Sequence, residues 1–480
     1  MAGASLRLTL ARLCAYNAIS TPHMYGAPSG WKRMEQSDAE YSKMTTKPVG
    51  GLITSLAVPT IVSMLTTSLY NMADTYFVSK LGTSASGAVG VVFSLMAIIQ
   101  AVGFMIGMGS GTWVSRLLGA NKPNDASEVA SSGLFLSIAL GALLTIFGLL
   151  AIHPLMRILG ATDTILPYAR DYASYILLAA PIMTASFLLN NILRAEGKAK
   201  FAMIGITVGG VLNFGLDPLF IFTFKMGIAG AAIATALSQC VSFVILLASF
   251  LRGKTICKLG IGRSARRADV YLRILKNGLP SFSRQGLASI STVALNVSAA
   301  AYGDAAVAAL SIVGKIFMVV FSVIIGIGQG YQPVVGYNYG AKKFARVRES
   351  FFFTLKGMTG MITLFAAIGF IAAPSLIRFF IATDAEVIRI GTLALRAQCL
   401  AMPLIPLGAV CNMTFQSIGK SWTATFLSTA RQGLFFLPLI LLLPGFIGLL
   451  GVQITQPLAD VCTFLFCLPF IAKFFRELKR

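Results

Sequence analysis

Long apolar stretches separated by short polar connections occupy the chain from Leu52 to Ile471. The stretches are long enough to cross a bilayer, which takes about 20 residues of α-helix. Twelve such stretches can be separated, and Pro59, Pro181 and Pro403 lie inside three of them as candidate kinks. The pattern therefore predicts an all-α integral membrane protein with twelve transmembrane helices.

The two halves of the chain carry the same landmarks in the same order. Pro59 is followed by Pro280 after 221 residues, and Asn190 is followed by Asn412 after 222 residues. Such regular spacing indicates an internal repeat. Six helices is an even number, so the two repeats must have the same orientation in the membrane. Parallel repeats of this kind place a substrate cavity between two helical bundles.

The predicted organisation is a tail, two lobes and a basic linker. The segments are a disordered cytoplasmic N-terminal tail at 1–50, a first lobe with helices 1–6 at 51–252, a basic cytoplasmic linker at 253–276, a second lobe with helices 7–12 at 277–472, and a cytoplasmic C-terminal tail at 473–480.

Composition and charge agree with a membrane protein and argue against a nucleic-acid partner. The chain is 56% hydrophobic and only 12% charged, whereas a soluble protein is about one quarter charged. The net charge of +22 arises from basic residues between the apolar stretches. About two dozen of them lie in the even-numbered connections and the C-terminus, which places both termini in the cytoplasm. We therefore predict a multi-pass protein of the plasma (inner) membrane, with the lipid bilayer as its partner.

No motif for enzymatic chemistry is present. The seven cysteines are scattered and form no CxxC spacing, so neither a zinc site nor a disulfide framework follows. The glycine-rich strings Gly107–Gly111 and Gly326–Gly330 lie inside apolar stretches with no preceding strand, which favours close helix packing over nucleotide binding. We predict no catalytic residue, no cofactor and no metal beyond a coupling sodium ion.

Acidic residues inside membrane helices are costly, so they indicate function. In the first half, Asp74 and Asp217 lie within predicted helices. Tyr70 and Asn213 each precede one of these acids by four residues and therefore share its helix face. Carboxylate, amide, hydroxyl and phenol oxygens suit a small hard cation or a proton. The candidate coupling site is Tyr70, Asp74, Asn190, Asn213, Asp217 and Thr235.

The second half does not repeat this acidic pair. Apolar residues, Leu295 among them, occupy the equivalent positions. The second half has one acid in the middle of a span, Asp460, which we name as a possible secondary site. Three basic residues, Arg284, Lys315 and Arg431, also lie in its spans. The sequence therefore places the coupling site in the first lobe.

Four short segments carry a resemblance to a known family. They are Tyr70-Asn-Met-Ala-Asp-Thr75 after Pro59, Arg116-Leu-Leu-Gly-Ala120, Asn213 to Pro218, and Gln332-Pro333 with Tyr337-Asn-Tyr-Gly-Ala341. In this order and spacing they resemble the MATE (multidrug and toxic compound extrusion) family, in its DinF/MepA-like branch. The resemblance covers the chain from about Gly50 to Lys473.

The resemblance implies a V-shaped pair of six-helix lobes and antiport of organic compounds against sodium ions or protons. It implies that the coupling cation uses the six candidate residues, and that the first helix bends at Pro59. The expected substrates are amphipathic, often cationic small organic molecules, and we expect a monomer.

Two alternatives remain at this point. A flippase for lipid-linked oligosaccharides from the same superfamily would use a cationic central cavity, for which Arg284, Lys315 and Arg431 are candidates. An intramembrane aspartyl protease would use Asp74 and Asp217 as a carboxyl pair. Against the protease, the Phe-Gly-Leu-Asp-Pro sequence around Asp217 lacks the Gly-x-Gly-Asp signature.

Overall fold

A computed structural model describes residues 29–381 and 384–478. The described residues form helices and connecting loops, without any β-strand. Eleven helical stretches are long and apolar enough to span a bilayer, and two of them, Ala385–Ser417 and Ser421–Ile447, are interrupted by a short irregular segment. Backbone groups in the hydrocarbon core must bond within their own segment, which a helix achieves. The predicted all-α membrane fold is confirmed.

The helices are numbered in chain order. The first half contains α1 (Ser29–Thr46), α2 (Val49–Ser79), α3 (Thr83–Gly119), α4 (Pro123–Leu150), α5 (Ile152–Ile158), α6 (Leu166–Ala195), α7 (Ala199–Pro218, continued by the π-helical turn Leu219–Thr223) and α8 (Gly227–Leu251). The second half contains α9 (Ala268–Ala300), α10 (Asp304–Gly340), α11 (Phe344–Phe380), α12 (Ala385–Ala401), α13 (Ile405–Ser417), α14 (Ser421–Thr429, continued by the π-helical segment Ala430–Phe436), α15 (Leu437–Ile447) and α16 (Leu449–Leu478).

Helix α9 is the twelfth long helix, although it is not among the eleven most apolar ones. It has 33 residues, more than a bilayer requires. Its first half carries Arg273, Lys276 and Arg284, and the guanidinium of Arg273 lies 5.1 Å from the centre of the Trp113 ring on α3. Packing against the first lobe thus accounts for the polar start of this helix.

The internal repeat is visible in the backbone. Residues with positive φ occur at equivalent loop positions of the two halves, where a chain must turn sharply after a helix. Gly197 and Gly419 have φ of 80° and 84°, and Gly227 and Gly448 have φ of 59° and 60°. Equivalent turns joining equivalent helices support the prediction of two parallel repeats.

The described part of the N-terminal tail differs from the prediction of a disordered segment at 1–50. Residues Ser29–Thr46 form α1, and α2 already begins at Val49. Asn338 Nδ2 donates to the carbonyl oxygen of Met44 at 3.1 Å, so the end of α1 is bonded to the end of α10. The two residues are 294 positions apart in the sequence. The composition of the N-terminal segment alone therefore gives no sign of the contact that orders it. Residues 1–28 lie outside the described residues.

The linker and the C-terminal tail are shorter than the predicted 253–276 and 473–480. Helix α9 begins at Ala268, and α16 continues to Leu478. Basic residues in the terminal turns of both helices made these turns look like loops. Such residues can keep their charge in water while their helix continues into the membrane.

The remaining linker is bonded to the first lobe by a buried glutamate. Glu196, at the end of α6, is fully buried and accepts hydrogen bonds from the backbone N–H groups of Ile256 (2.9 Å) and Cys257 (2.8 Å). Ser132 Oγ on α4 accepts another from the N–H of Ala265 at 2.8 Å. The linker is therefore an ordered part of the first lobe.

Replacing Glu196 with alanine should destabilise the protein. The change leaves two buried N–H groups without an acceptor, and each such group costs about 1–3 kcal/mol. We expect the free energy of unfolding to fall by about 2 kcal/mol or more, measured by denaturant unfolding of the purified protein. The control is Glu349→Ala at an exposed position of α11. Equal stability of the two variants would contradict this role of Glu196.

The lobes meet on the membrane side that carries the basic even-numbered connections, which we call the basic face. Helix α2 packs on α10, and α9 packs on α3. At the second crossing, a Cβ atom built on Gly278 of α9 would overlap the carbonyl group of Met105. A Cβ built on Gly109 of α3 would overlap the carbonyl oxygen of Ile274. Glycine at both positions lets the two backbones touch, so the contact between the lobes is tight here.

Candidate functional site

The first lobe contains a polar cavity between its helices. The cavity encloses about 550 Å³ of space that is open to solvent. Its wall includes four of the six candidate coupling residues: Tyr70, Asn190, Asn213 and Thr235. These side chains come from α2, α6, α7 and α8, so the fold brings together residues that are far apart in the sequence.

Asn213 connects Asp217 and Thr235 at one side of this cavity. Its Nδ2 donates to Asp217 Oδ1 at 3.2 Å and lies 3.3 Å from Thr235 Oγ1. The pair Asn213 and Asp217 meets because residues four apart share a helix face. Pro218 follows Asp217 and leads into the π-helical turn Leu219–Thr223. Such irregular turns inside membrane helices often occur at functional sites.

Asp74 has a partner that the sequence reasoning missed. The hydroxyl of Tyr172 on α6 donates to Asp74 Oδ2 at 3.1 Å, and Tyr172 is fully buried. The phenol of Tyr172 therefore brings a hydrogen-bond donor from α6 to this carboxyl group. Asp74 and Tyr172 are 98 residues apart, and a tyrosine in an apolar helix gives no local sign of such a contact.

Three oxygen atoms in this cluster lack a hydrogen-bond donor. They are Asp74 Oδ1, Asn213 Oδ1 and Asp217 Oδ2, and all three are buried. Within the described residues, neither Asp74 nor Asp217 has a basic side chain within 4 Å. Buried polar atoms normally have partners. Acceptors without donors, two of them on carboxyl groups, are the arrangement that a proton or a small hard cation would satisfy.

Asn190 lines the cavity, but its amide group also has a structural partner. Asn190 Nδ2 donates to the carbonyl oxygen of Ala202 at 3.1 Å. In the second lobe, Asn412 donates to Ala424 in the same way at 2.6 Å. The repeated bond joins equivalent helices in both lobes, which assigns the Nδ2 group of Asn190 to helix packing.

The predicted bend at Pro59 lies inside a helix that is continuous in this structure. Helix α2 runs from Val49 to Ser79 without interruption, and Pro59 is buried within it. Its carbonyl oxygen accepts a hydrogen bond from Ser63 Oγ at 3.0 Å. Proline removes one backbone hydrogen bond of the helix, which weakens α2 at this position. The bend itself stays a prediction.

The acid of the second lobe is in a different electrostatic environment. Asp460 is buried and pairs with Arg431, whose Nε donates to Asp460 Oδ1 at 2.6 Å. Gln398 and Gln456 donate to its two oxygens at 2.9 and 3.2 Å. Asp460 is therefore neutralised and hydrogen-bonded, unlike Asp74 and Asp217. This environment explains the intramembrane Arg431 and weakens the case for Asp460 as a second coupling site.

The first lobe also contains a buried base. Arg194, near the end of α6, is only 5% exposed. It donates to Gln329 and to Asn191 and forms no ion pair with Asp74 or Asp217. The acidic cluster thus remains without a basic partner.

Comparison with known proteins identifies the family. The MatE family model matches residues 59–219 and 280–442, one match in each half. The multidrug export protein MepA of Staphylococcus saprophyticus is 27% identical over 397 residues, covering 82% of this chain and 87% of MepA. MepA of Staphylococcus haemolyticus is 26% identical, covering 85% of this chain and 90% of the relative.

Solved structures agree with this family assignment. A multidrug resistance MATE family transporter in an outward-facing conformation superimposes with a TM-score of 0.86 at 28% identity, over 91% of this chain and 99% of that structure. A crystal structure of a MATE protein in complex with MaL6 gives a TM-score of 0.87 at 27% identity, over 92% and 99%. The two-lobe architecture is thereby confirmed, and a protease assignment is excluded. This chain belongs to the MATE family of multi-pass membrane transporters.

Proposed function

We propose that this protein is a cation-coupled antiporter that exports amphipathic, often cationic organic compounds by alternating access. Three buried oxygen atoms that accept no hydrogen bond from the described residues, one each on Asp74, Asn213 and Asp217, support this proposal most directly. The relatives named multidrug export protein support the substrate class. Either sodium ions or protons would serve as the coupling cation.

The mechanism follows from the charge of the acidic cluster. Asp74 and Asp217 together can carry two negative charges, with no base in ion-pair distance among the described residues. A bound cation compensates this charge, and its release leaves the charge to be compensated by a cationic substrate or by rearrangement of the helices. A gradient of the cation then biases the direction to which the cavity opens.

Separately imposed gradients test this proposal. The purified protein is reconstituted into proteoliposomes, and export of a fluorescent cationic dye is followed under a sodium gradient alone and under a proton gradient alone. We expect one of the two gradients to drive export. Export that neither gradient changes would contradict cation coupling.

A flippase would need a cationic cavity. The second lobe has fewer unpaired positive side chains than its sequence indicates. Of the three candidate bases Arg284, Lys315 and Arg431, the last is neutralised by Asp460. The guanidinium of Arg431 also lies 5.4 and 5.3 Å from the ring centres of Phe317 and Phe321. These contacts make Arg431 part of the packing of the second lobe and favour the antiporter.

For the location we propose the plasma (inner) membrane, with the basic face and both termini in the cytoplasm. Cysteine labelling tests this orientation. We expect Arg266→Cys in the linker to react only with a reagent on the cytoplasmic side, and Ser84→Cys at the start of α3 only with one outside. Reaction of both from one side would contradict the topology.

The native Cys257 gives this labelling experiment an internal reference. Burial and the neighbouring carboxylate of Glu196 raise the pKa of the Cys257 thiol well above its usual value. Since the thiolate is the reactive form, Cys257 should react far more slowly than a cysteine at 266 at neutral pH.

A further inference from the structure

The buried Arg194 lies where the two lobes meet on the basic face. Its Nη1 donates to Gln329 Oε1 on α10, and its Nη2 donates to Asn191 Oδ1 at 2.8 Å. Arg194 and Asn191 belong to the first lobe and Gln329 to the second. The guanidinium group therefore joins the lobes directly.

The positive charge of Arg194 has no negative partner. Within the described residues, its nitrogen atoms have no carboxylate within 4 Å, although 95% of the residue surface is buried. Burying a charge without compensation is very costly, so buried charges are normally paired. The two amide oxygens that accept from Arg194 are neutral.

A cavity with about 270 Å³ of space, part of it open to solvent, adjoins this guanidinium group. Gln329 lines it and is only 3% exposed, and its Nε2 donates to no partner. The hydroxyls of Thr112 and Ser115 also line the cavity but already donate to backbone oxygens at 2.8 and 3.0 Å. The cavity thus has a positive charge and an unused N–H donor, but no charged acceptor.

We propose that this cavity binds a small monovalent anion of the chloride type between Arg194 and the Nε2 group of Gln329. The anion compensates the buried charge and accepts hydrogen bonds from both side chains, and anions are strong acceptors for a guanidinium group. The polar cavity of the first lobe, in contrast, has no basic side chain among the described residues of its wall.

The position of this site gives the anion a conformational effect. The cavity walls come from α3 and α6 of the first lobe and from α10 of the second, so separation of the lobes on the basic face would dismantle the site. The anion therefore stabilises the state that is closed on the basic face. This consequence rests on the proposed function, whereas anion binding itself does not require transport.

Thermal unfolding of the purified full-length protein tests the binding. Sodium chloride is compared with sodium gluconate at constant sodium concentration and ionic strength. Chloride at ten times its dissociation constant should raise the melting temperature by about 2 °C, with saturation. Arg194→Gln should lose this shift, whereas Arg157→Gln, at an exposed arginine paired with Asp163, should keep it. No chloride shift in the wild type, or an unchanged shift in Arg194→Gln, would overturn the proposal.

A second variant keeps the test decisive if Arg194→Gln does not fold. Gln329→Glu preserves the shape of the side chain and places a carboxylate beside Arg194, in the role of the anion. In gluconate, this variant should melt at the temperature that the wild type reaches in chloride, and chloride should not raise it further. A chloride shift as large as that of the wild type would overturn the proposal.

Discussion

Replacing Asp217 with asparagine is expected to abolish cation-coupled export and to leave the protein folded. Asparagine keeps the size of the side chain and can still accept the hydrogen bond from Asn213, which donates at 3.2 Å. The change removes the negative charge of the carboxylate. Because no basic side chain in the described part of the chain pairs with Asp217, no buried positive charge is left without a partner. Coupled export in proteoliposomes should fall to the rate of vesicles without protein, while the melting temperature changes little.

Asp460→Asn is the matched control, because Asp460 is the deeply buried acid of the second lobe. Here the substitution leaves Arg431 without its partner at 2.6 Å. Breaking a buried ion pair costs about 3–5 kcal/mol, so this variant should lose stability but retain coupling in the protein that folds. Normal export by Asp217→Asn with uncoupled transport by Asp460→Asn would show that the coupling site is in the other lobe.

The second large effect is expected where α9 crosses α3. The Cβ atom of Gly278→Ala would overlap the main-chain carbonyl of Met105, which cannot move aside as a side-chain tip can. The helices must separate, and such overpacking typically costs about 1–3 kcal/mol. Because this crossing closes the basic face, we also expect export to be strongly reduced.

Gly286→Ala on the same helix provides the control for this effect. A Cβ atom at Gly286 has nothing within 4 Å, so only the helix propensity changes, which favours alanine by about 1 kcal/mol. Gly286→Ala should therefore be as stable as the wild type or slightly more so, with normal export. Equal behaviour of the two alanine variants in thermal unfolding and export would contradict a tight crossing at Gly278.

The helices and the repeat could be predicted from sequence because the bilayer imposes a length and a composition on every span. Helix α9 departs from this composition. Its first turns are basic and pack on Trp113, so they read as linker rather than helix. The boundary at Ala268 depends on this tertiary contact and not on local composition.

The acids of the candidate site could also be predicted, because a carboxyl group inside an apolar span is conspicuous. Their partners could not be predicted in the same way. Tyr172 reaches Asp74 across the first lobe, and Arg431 reaches Asp460 from a neighbouring helix. Both contacts depend on how the helices rotate against each other, which periodicity does not determine. The contrast between a paired and an unpaired acid therefore appears only in the folded protein.

We propose that the acidic cluster of the first lobe holds the coupling cation until the substrate displaces it. This mechanism is tested by the number of cations released when a cationic substrate binds to purified protein, measured as proton release in weakly buffered solution and as loss of bound radioactive sodium. We predict release of one of these cations by the wild type, and none by a variant that carries both Asp74→Asn and Asp217→Asn. Substrate binding by the wild type without release of either cation, or equal release by the double variant, would contradict this mechanism.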